Sequence, residues 1–188
     1  YYAFNARNPY VCVIDDDTIP GKKWLENCME TMKTNEGLLG TVGLVWPKPN
    51  PPENSSYYEP YARFGWPDRG NNDTTVQVDL VGHSWFFKKE WLSHMVRELP
   101  DPKYNTCGED MHFSYMLQKY ANIPTFVPPH PIDDKELWGS LKGNQYGADE
   151  NSIWESNQQG VDGTPSKHLM NRHFREQRLK GWKLIYEK

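Results

Sequence analysis

Three consecutive carboxylates, Asp15, Asp16 and Asp17, stand directly after the apolar run Tyr10-Val11-Cys12-Val13-Ile14. Crowded like charges repel, and a divalent cation relieves that repulsion. Hard oxygen donors suit Mg²⁺ or Mn²⁺, which take one or two protein carboxylates and complete their shell with water and substrate phosphate. The plainer reading, Asp17 or Thr18 capping the next helix, needs one such residue and not three. A second acidic pair, Glu109-Asp110, follows about ninety residues later at the start of another helical pattern. The helix dipole stabilises carboxylates there. The same placement also suits a general base acting on a substrate hydroxyl.

The elements that must carry these acids can be read from periodicity. Residues 10–14 form a continuous apolar run, as in a fully buried strand of a parallel sheet, and end in the aspartates. Open α/β sheets bind ligands at that carboxyl edge. A helix is expected from about residue 22 to 33, with Trp24, Leu25, Cys28, Met29 and Met32 as one apolar stripe. Residues 38–46 read as a second buried strand, and 75–81 as a half-buried one. Helical spacing recurs over 88–99 and 108–121, and residues 123–127 form a short strand. Residues 47–67 hold six of the fifteen prolines and read as a long surface loop. Residues 132–165 are irregular, Ser166 is the expected N-cap of a final helix, and 182–186 a last strand. The fold class is α/β with a mostly parallel central sheet, a core over residues 1–150 and a C-terminal loop and helix over 151–188.

The chain has 188 residues, with 21 Lys+Arg against 25 Asp+Glu, a net charge of −4. That balance excludes a basic nucleic-acid footprint and a polybasic membrane patch. No apolar run reaches membrane-span length and no leader-like start is visible, so a soluble, cytoplasmic location is expected. Three widely spaced cysteines supply neither a disulfide framework nor a metal knuckle. Aromatics make up 14% of the residues, although mean hydropathy is −0.86. Half-exposed rings of that kind suit sugar clefts or protein interfaces.

Taken in order, the strand ending in Asp15-Asp16-Asp17, the stretch Val81-Gly82-His83-Ser84-Trp85-Phe86-Phe87-Lys88-Lys89-Glu90 and the later Cys107-Gly108-Glu109-Asp110 resemble the GT-A type glycosyltransferases, above all the inverting, family-two-like members. The resemblance covers residues 10–130 best. It implies a metal-dependent transferase that moves a sugar from a nucleotide-diphosphate donor, a UDP-sugar first among them, to a saccharide, glycan or other hydroxyl acceptor. Asp15 and Asp16 would then lie at the nucleotide-sugar, and Asp17 with Asp15 on Mn²⁺ or Mg²⁺. Asp110 would be the base, with Glu109 beside it. Gly82 and Trp85 would border the donor sugar. His130, after the strand in Pro-Pro-His-Pro, is the first choice for an additional metal ligand, ahead of His168 and His173. One acidic pair suits direct displacement, although spacing alone does not separate this from a retaining route. The family places a nucleotide-binding β-α-β half ahead of its aspartates. Only fourteen residues precede Asp15, so the chain reads as a fragment lacking that half.

Trp46, Tyr57, Tyr58, Tyr61, Phe64 and Trp66 suggest an acceptor wall, with Arg63 or Arg69 toward phosphate. Residues 137–147 look like a flexible lid. Asn54-Ser55-Ser56 and Asn72-Asp73-Thr74 are sequons in expected loops. Two other readings share these features. A sugar nucleotidyltransferase would add a Gly-rich basic phosphate loop, which is not seen here. A non-catalytic carbohydrate-binding relative would tolerate loss of the acids, yet Asp17 and Asp110 are intact.

Overall fold

A computed structural model describes residues 2–46, 54–60, 62–66, 70–104, 107–146 and 165–187. Strand β1 (Tyr10–Ile14) leads through residues 15–23 into α1 (Trp24–Thr34), which returns the chain to β2 (Leu38–Val45). Three short strands follow with one long one: β3 (Ala62–Phe64), β4 (Val76–Val78), β5 (Leu80–Lys88) and, later, β6 (Thr125–Val127). The helices after β5 are α2 (Leu92–Met95), α3 (Glu109–Ala121), α4 (Gly143–Tyr146) and α5 (Ser166–Leu179).

The sheet runs β1-β5-β2-β6-β4, with β3 beside β2. β5 lies antiparallel between β1 (Ile14 opposite Ser84) and β2 (Leu39 opposite Phe86), while β6 runs parallel to β2 (Leu38 opposite Thr125). The expected mostly parallel sheet is therefore a mixed one, with β2–β6 the one parallel pairing among the described strands. β1, β2 and β6 do point the same way, but β5 returns between the first two. Continuous apolar runs report burial on both faces and not the direction of the neighbour.

Packing explains most other departures. On α1, Trp24, Cys28 and Met32 face the core with Asn27 and Thr31, whereas Leu25 and Met29 are exposed. The inward Asn27 amide donates to the carbonyls of Pro129 (2.8 Å) and Leu137 (2.9 Å), tying α1 to the later chain. The helix expected over 88–99 is a 3-10 turn, Lys89–Trp91, followed by the four residues of α2, because β5 continues to Lys88 opposite Tyr10. Trp85 and Phe87, two apart on β5, both meet Phe113 of α3, with centroids at 5.6 and 5.1 Å.

A second apolar cluster joins Trp46, Met111, Tyr115, Leu169, Phe174 and Trp182, so α5 packs onto the same body as α3. Pro165, and not Ser166, holds the N-cap position of α5. The expected last strand is a 3-10 turn, Ile185–Glu187. It is held by Asp79, whose carboxylate accepts from the amides of Ile185 (2.5 Å) and Trp46 (3.0 Å). The expected division at residue 150 lies outside the described residues. Among the described residues, no helix is long and apolar enough to cross a membrane.

Candidate active site

β1 ends at Ile14, and the three aspartates form the turn beyond it, Asp15 and Asp16 exposed and Asp17 half-buried. The turn is anchored from β5. The Asp15 amide donates to the His83 carbonyl (3.3 Å), and the buried Thr18 hydroxyl reaches the same oxygen (3.0 Å), with a longer contact to Asp17 Oδ1 (3.4 Å). Thr18 N–H closes the turn on Asp15 O at 3.1 Å.

The second acidic pair is set by α3. Gly108, at φ +90°, is the N-cap, and a Cβ there would lie 2.1 Å from His173 Nδ1, so only glycine fits both the conformation and the space. Asp110 then points back to β5. Its Oδ1 accepts a hydrogen bond from Trp85 Nε1 (2.8 Å), and its Oδ2 lies 2.8 Å from where a Cβ on Gly82 would be. Gly82 and Trp85, expected beside a donor sugar, thus grip the carboxylate. The Trp85 ring is committed to Asp110 on one side and to Phe113 on the other.

The two acidic groups feel each other. Partial desolvation, then the charges of Asp17, Glu109 and Asp16, push Asp15 up to about 6. Burial, then Glu109 and Asp15, hold the Asp110 carboxyl well above the ordinary range, against the pull of the Trp85 N–H. Tyr57 joins the site from the Pro-rich segment, since burial and then Asp110 raise its hydroxyl, with Arg63 opposing. Its ring packs on Trp46 (5.9 Å) and Tyr58 (5.2 Å), and its amide donates to Asn171 Oδ1 of α5 (2.8 Å). Tyr61 and Arg69 lie outside the described residues.

The donor set fits a hydrated divalent cation. Asp15 and Asp17 offer hard oxygens whose mutual repulsion is not offset by a Lys or Arg ion pair among the described residues. Among the described residues no group of three or more His, Cys, Asp or Glu side chains is placed to hold a metal ion, so the protein would supply two carboxylates at most. Two carboxylates with phosphate and water completing the shell is the arrangement Mg²⁺ and Mn²⁺ accept.

His130 does not fit a metal role. It is 1% exposed, its Nδ1 is bonded to Pro128 O (2.8 Å), and its Nε2 accepts from the Gly139 amide (3.0 Å). Both ring nitrogens are engaged inside the fold, and burial lowers the ring's pKa to about 4. His173 is likewise buried, stacked on Tyr104 at 4.2 Å, whereas His168 is exposed.

The first part of the expected lid is fixed. Trp138 O accepts from Gly21 N–H (2.8 Å), Leu141 N–H donates to Ile19 O (2.8 Å), and Trp138 and Ser140 are buried. Residue 147 lies outside the described residues. The Asn72 sequon is internal, its amide donating to the carbonyls of Thr74 and Pro128 at 2.9 Å.

Sequence reasoning missed Thr18 and His83 as parts of the site. Asp15 and Thr18 are three apart, the spacing of a turn closed by the Thr18 N–H on Asp15 O, and that was the available signal. Nothing in the sequence marked His83 off from the other five histidines.

A search of curated proteins found no match. Residues 3–96, half of the chain, match the profile of glycosyl transferase family 2, a span that takes in the aspartate turn and residues 82–85 but stops before α3. The α/β body, with its aspartate turn at the end of β1, has the GT-A fold that this match implies, and the chain belongs to glycosyl transferase family 2.

Proposed function

We propose that this domain transfers a sugar from a nucleotide-diphosphate donor, a UDP-sugar first among them, to a hydroxyl acceptor with inversion, assisted by Mn²⁺ or Mg²⁺. One observation carries the reading: acids ninety-five positions apart, Asp15 and Asp110, sit within each other's electrostatic reach around residues 82–85. Asp15 and Asp17 are the residues that would hold the cation, which when bound stabilises the negative charge of the departing diphosphate. Asp110 takes the proton of the acceptor hydroxyl. The freed oxygen lone pair forms the new bond to the anomeric carbon as the bond from that carbon to the diphosphate oxygen breaks. No protein nucleophile is needed, and the electron pair leaves with the nucleotide.

The environment of Asp110 suits that role. A carboxylate whose proton affinity is raised by burial and neighbouring charge works nearer neutral pH than an ordinary one. The Trp85 N–H engages one oxygen, and the other lies over Gly82, which has no side chain to cover it. Tyr57, close to Asp110 and backed by Trp46, supplies a ring face for the acceptor.

Asp110→Asn tests the base, since an amide oxygen still accepts from Trp85. Titration with UDP and Mn²⁺ is expected to be unchanged while transfer falls by roughly 10²–10⁴-fold. A near-normal transfer rate removes Asp110 as base. Asp17→Ala is expected to lose the Mn²⁺-dependent part of the UDP heat while thermal unfolding stays cooperative, and an unchanged heat removes the metal role.

A further inference from the structure

Opposite β2, strand β5 is irregular. Gly40 faces Trp85 and Val42 faces Gly82, so His83 and Ser84 together oppose the single residue Thr41. This is a β-bulge, and His83, its first residue, has φ +65°. In bulges of this geometry glycine is the usual first residue, because a side chain is disfavoured at positive φ. Asn, Asp and His are the side chains that enter this region most readily, and a β-branched residue there is an outlier. Strained backbone of this kind clusters at functional sites.

The bulge is held from both sides. Ser84 Oγ and Thr41 Oγ1 share a buried hydrogen bond. Gly82 and Trp85 close on Asp110. The His83 ring packs edge-on against Trp66 (centroids 5.0 Å apart, planes at 82°). Between these fixed neighbours the left-handed residue presents its carbonyl to the turn beyond β1, where it accepts from the Asp15 amide at 3.3 Å and the Thr18 hydroxyl at 3.0 Å.

We infer that His83 is a positioning residue, whose left-handed backbone aims one carbonyl oxygen at both Asp15 and Thr18 and so fixes the aspartate turn to the strand that grips Asp110. The inference rests on the proposed transferase reading for its consequence in donor binding, but not for the geometry. What matters is the direction of the carbonyl. Glycine and asparagine, which tolerate positive φ, preserve it, and valine forces it away.

Two readouts on wild type, His83→Gly, His83→Asn and His83→Val test this. NMR hydrogen exchange at the Asp15 amide, with the β1–β5 ladder as internal control, needs no ligand. Protection is expected to persist in the Gly and Asn variants and to be lost in the Val variant while the ladder stays protected. Calorimetric titration with UDP and Mn²⁺ is expected to give Kd values within about twofold of wild type for Gly and Asn, and roughly tenfold weaker for Val. If His83→Val does not fold, His83→Ala against His83→Gly carries the comparison, with Ala the less protected and the weaker binder. Unchanged Asp15 protection in the Val variant overturns the inference. So does a Gly variant that loses binding as fully as Val, which would assign the effect to the imidazole. A full-length wild-type protein, extended through the expected nucleotide-binding half, that gives no heat with UDP and Mn²⁺ counts against the transferase reading, and the exchange data still decide the role of His83.

Discussion

The indole N–H of Trp85 gives Asp110 a hydrogen-bond donor but not a full counter-charge, so the carboxylate is oriented without being neutralised. That bond favours the ionised form, against burial and the charges of Glu109 and Asp15. Trp85→Phe keeps the ring against Phe113 and removes the donor. Its expected signature is an acid limb of the pH–rate profile displaced to higher pH, with a lower rate at neutrality; an unmoved limb would separate Trp85 from the base. Gly82→Ala places a methyl 2.8 Å from Asp110 Oδ2. Transfer is expected to drop about a hundredfold through misplacement of the base, with UDP and Mn²⁺ titration unchanged. At this scale the sequence was informative where residue type alone signals chemistry. Residue type and position alone single out Asp15, Asp17 and Asp110 as acids beside an apolar strand and a helix start. The grip of Trp85 on Asp110 crosses 25 residues and depends on how α3 docks, which no local pattern encodes. His130 was named for its place after a strand in Pro-Pro-His-Pro, a pattern that does not tell whether the ring is free, and Trp24 and Trp138 enclose it.

Between residues and fold, the connecting segments proved more tied down than their composition suggested. Asn171 on α5 accepts from the Tyr57 amide at 2.8 Å and from the Ser56 hydroxyl at 3.3 Å, and Arg175 Nε donates to Ser55 O at 2.8 Å. Asn171→Ala removes the first two bonds and is expected to cost about 1–2 kcal/mol, read by urea unfolding, and to speed limited proteolysis within residues 54–58. Equal cleavage rates would show that the rings of Trp46 and Phe174 hold Tyr57 without the polar anchor. α1, α3 and α5 were legible as helices from apolar spacing, although α1 leaves Leu25 and Met29 exposed and α3 is buried on all sides from Met111 to Leu117. The bulge at His83 was not, because a bulge is a mismatch between two strands and leaves no mark in either one. The lid-like glycines at 139, 143 and 147 were read as freedom, yet hydrogen bonds to residues 19 and 21 pin residues 138–141.

At the scale of the molecule, stability and function pull on the same charges. Burial holds His130 and His173 neutral, with pKa lowered from 6.5 to about 4. The unfolded chain therefore binds more protons than the folded one between those values. Stability from these rings is full above about 6.5 and declines as pH falls toward about 4, on the order of 3 kcal/mol per ring. Asp15 acts in the opposite sense. Its pKa is raised from 3.8 to about 6, so the folded state takes up the extra proton and gains stability as pH falls through that window. Asp15→Asn is thus expected to raise the melting temperature near neutral pH and to steepen the loss on acidification, both read by thermal scans across the range. A lower neutral melting temperature would mean that Asp15 is not under repulsion. The directions of β1, β2 and β6 were readable as one set, while the antiparallel return of β5 between them depends on long-range pairing. That return has a dynamic consequence. β5 is bonded on both flanks and touches both acidic groups, so the aspartate turn and Asp110 are tied to the same strand. On the proposed transferase reading, entry of sugar and exit of spent nucleotide are left to segments outside the sheet, and slow turnover steps are expected to follow solvent viscosity and loop length before any stiffening of the strands.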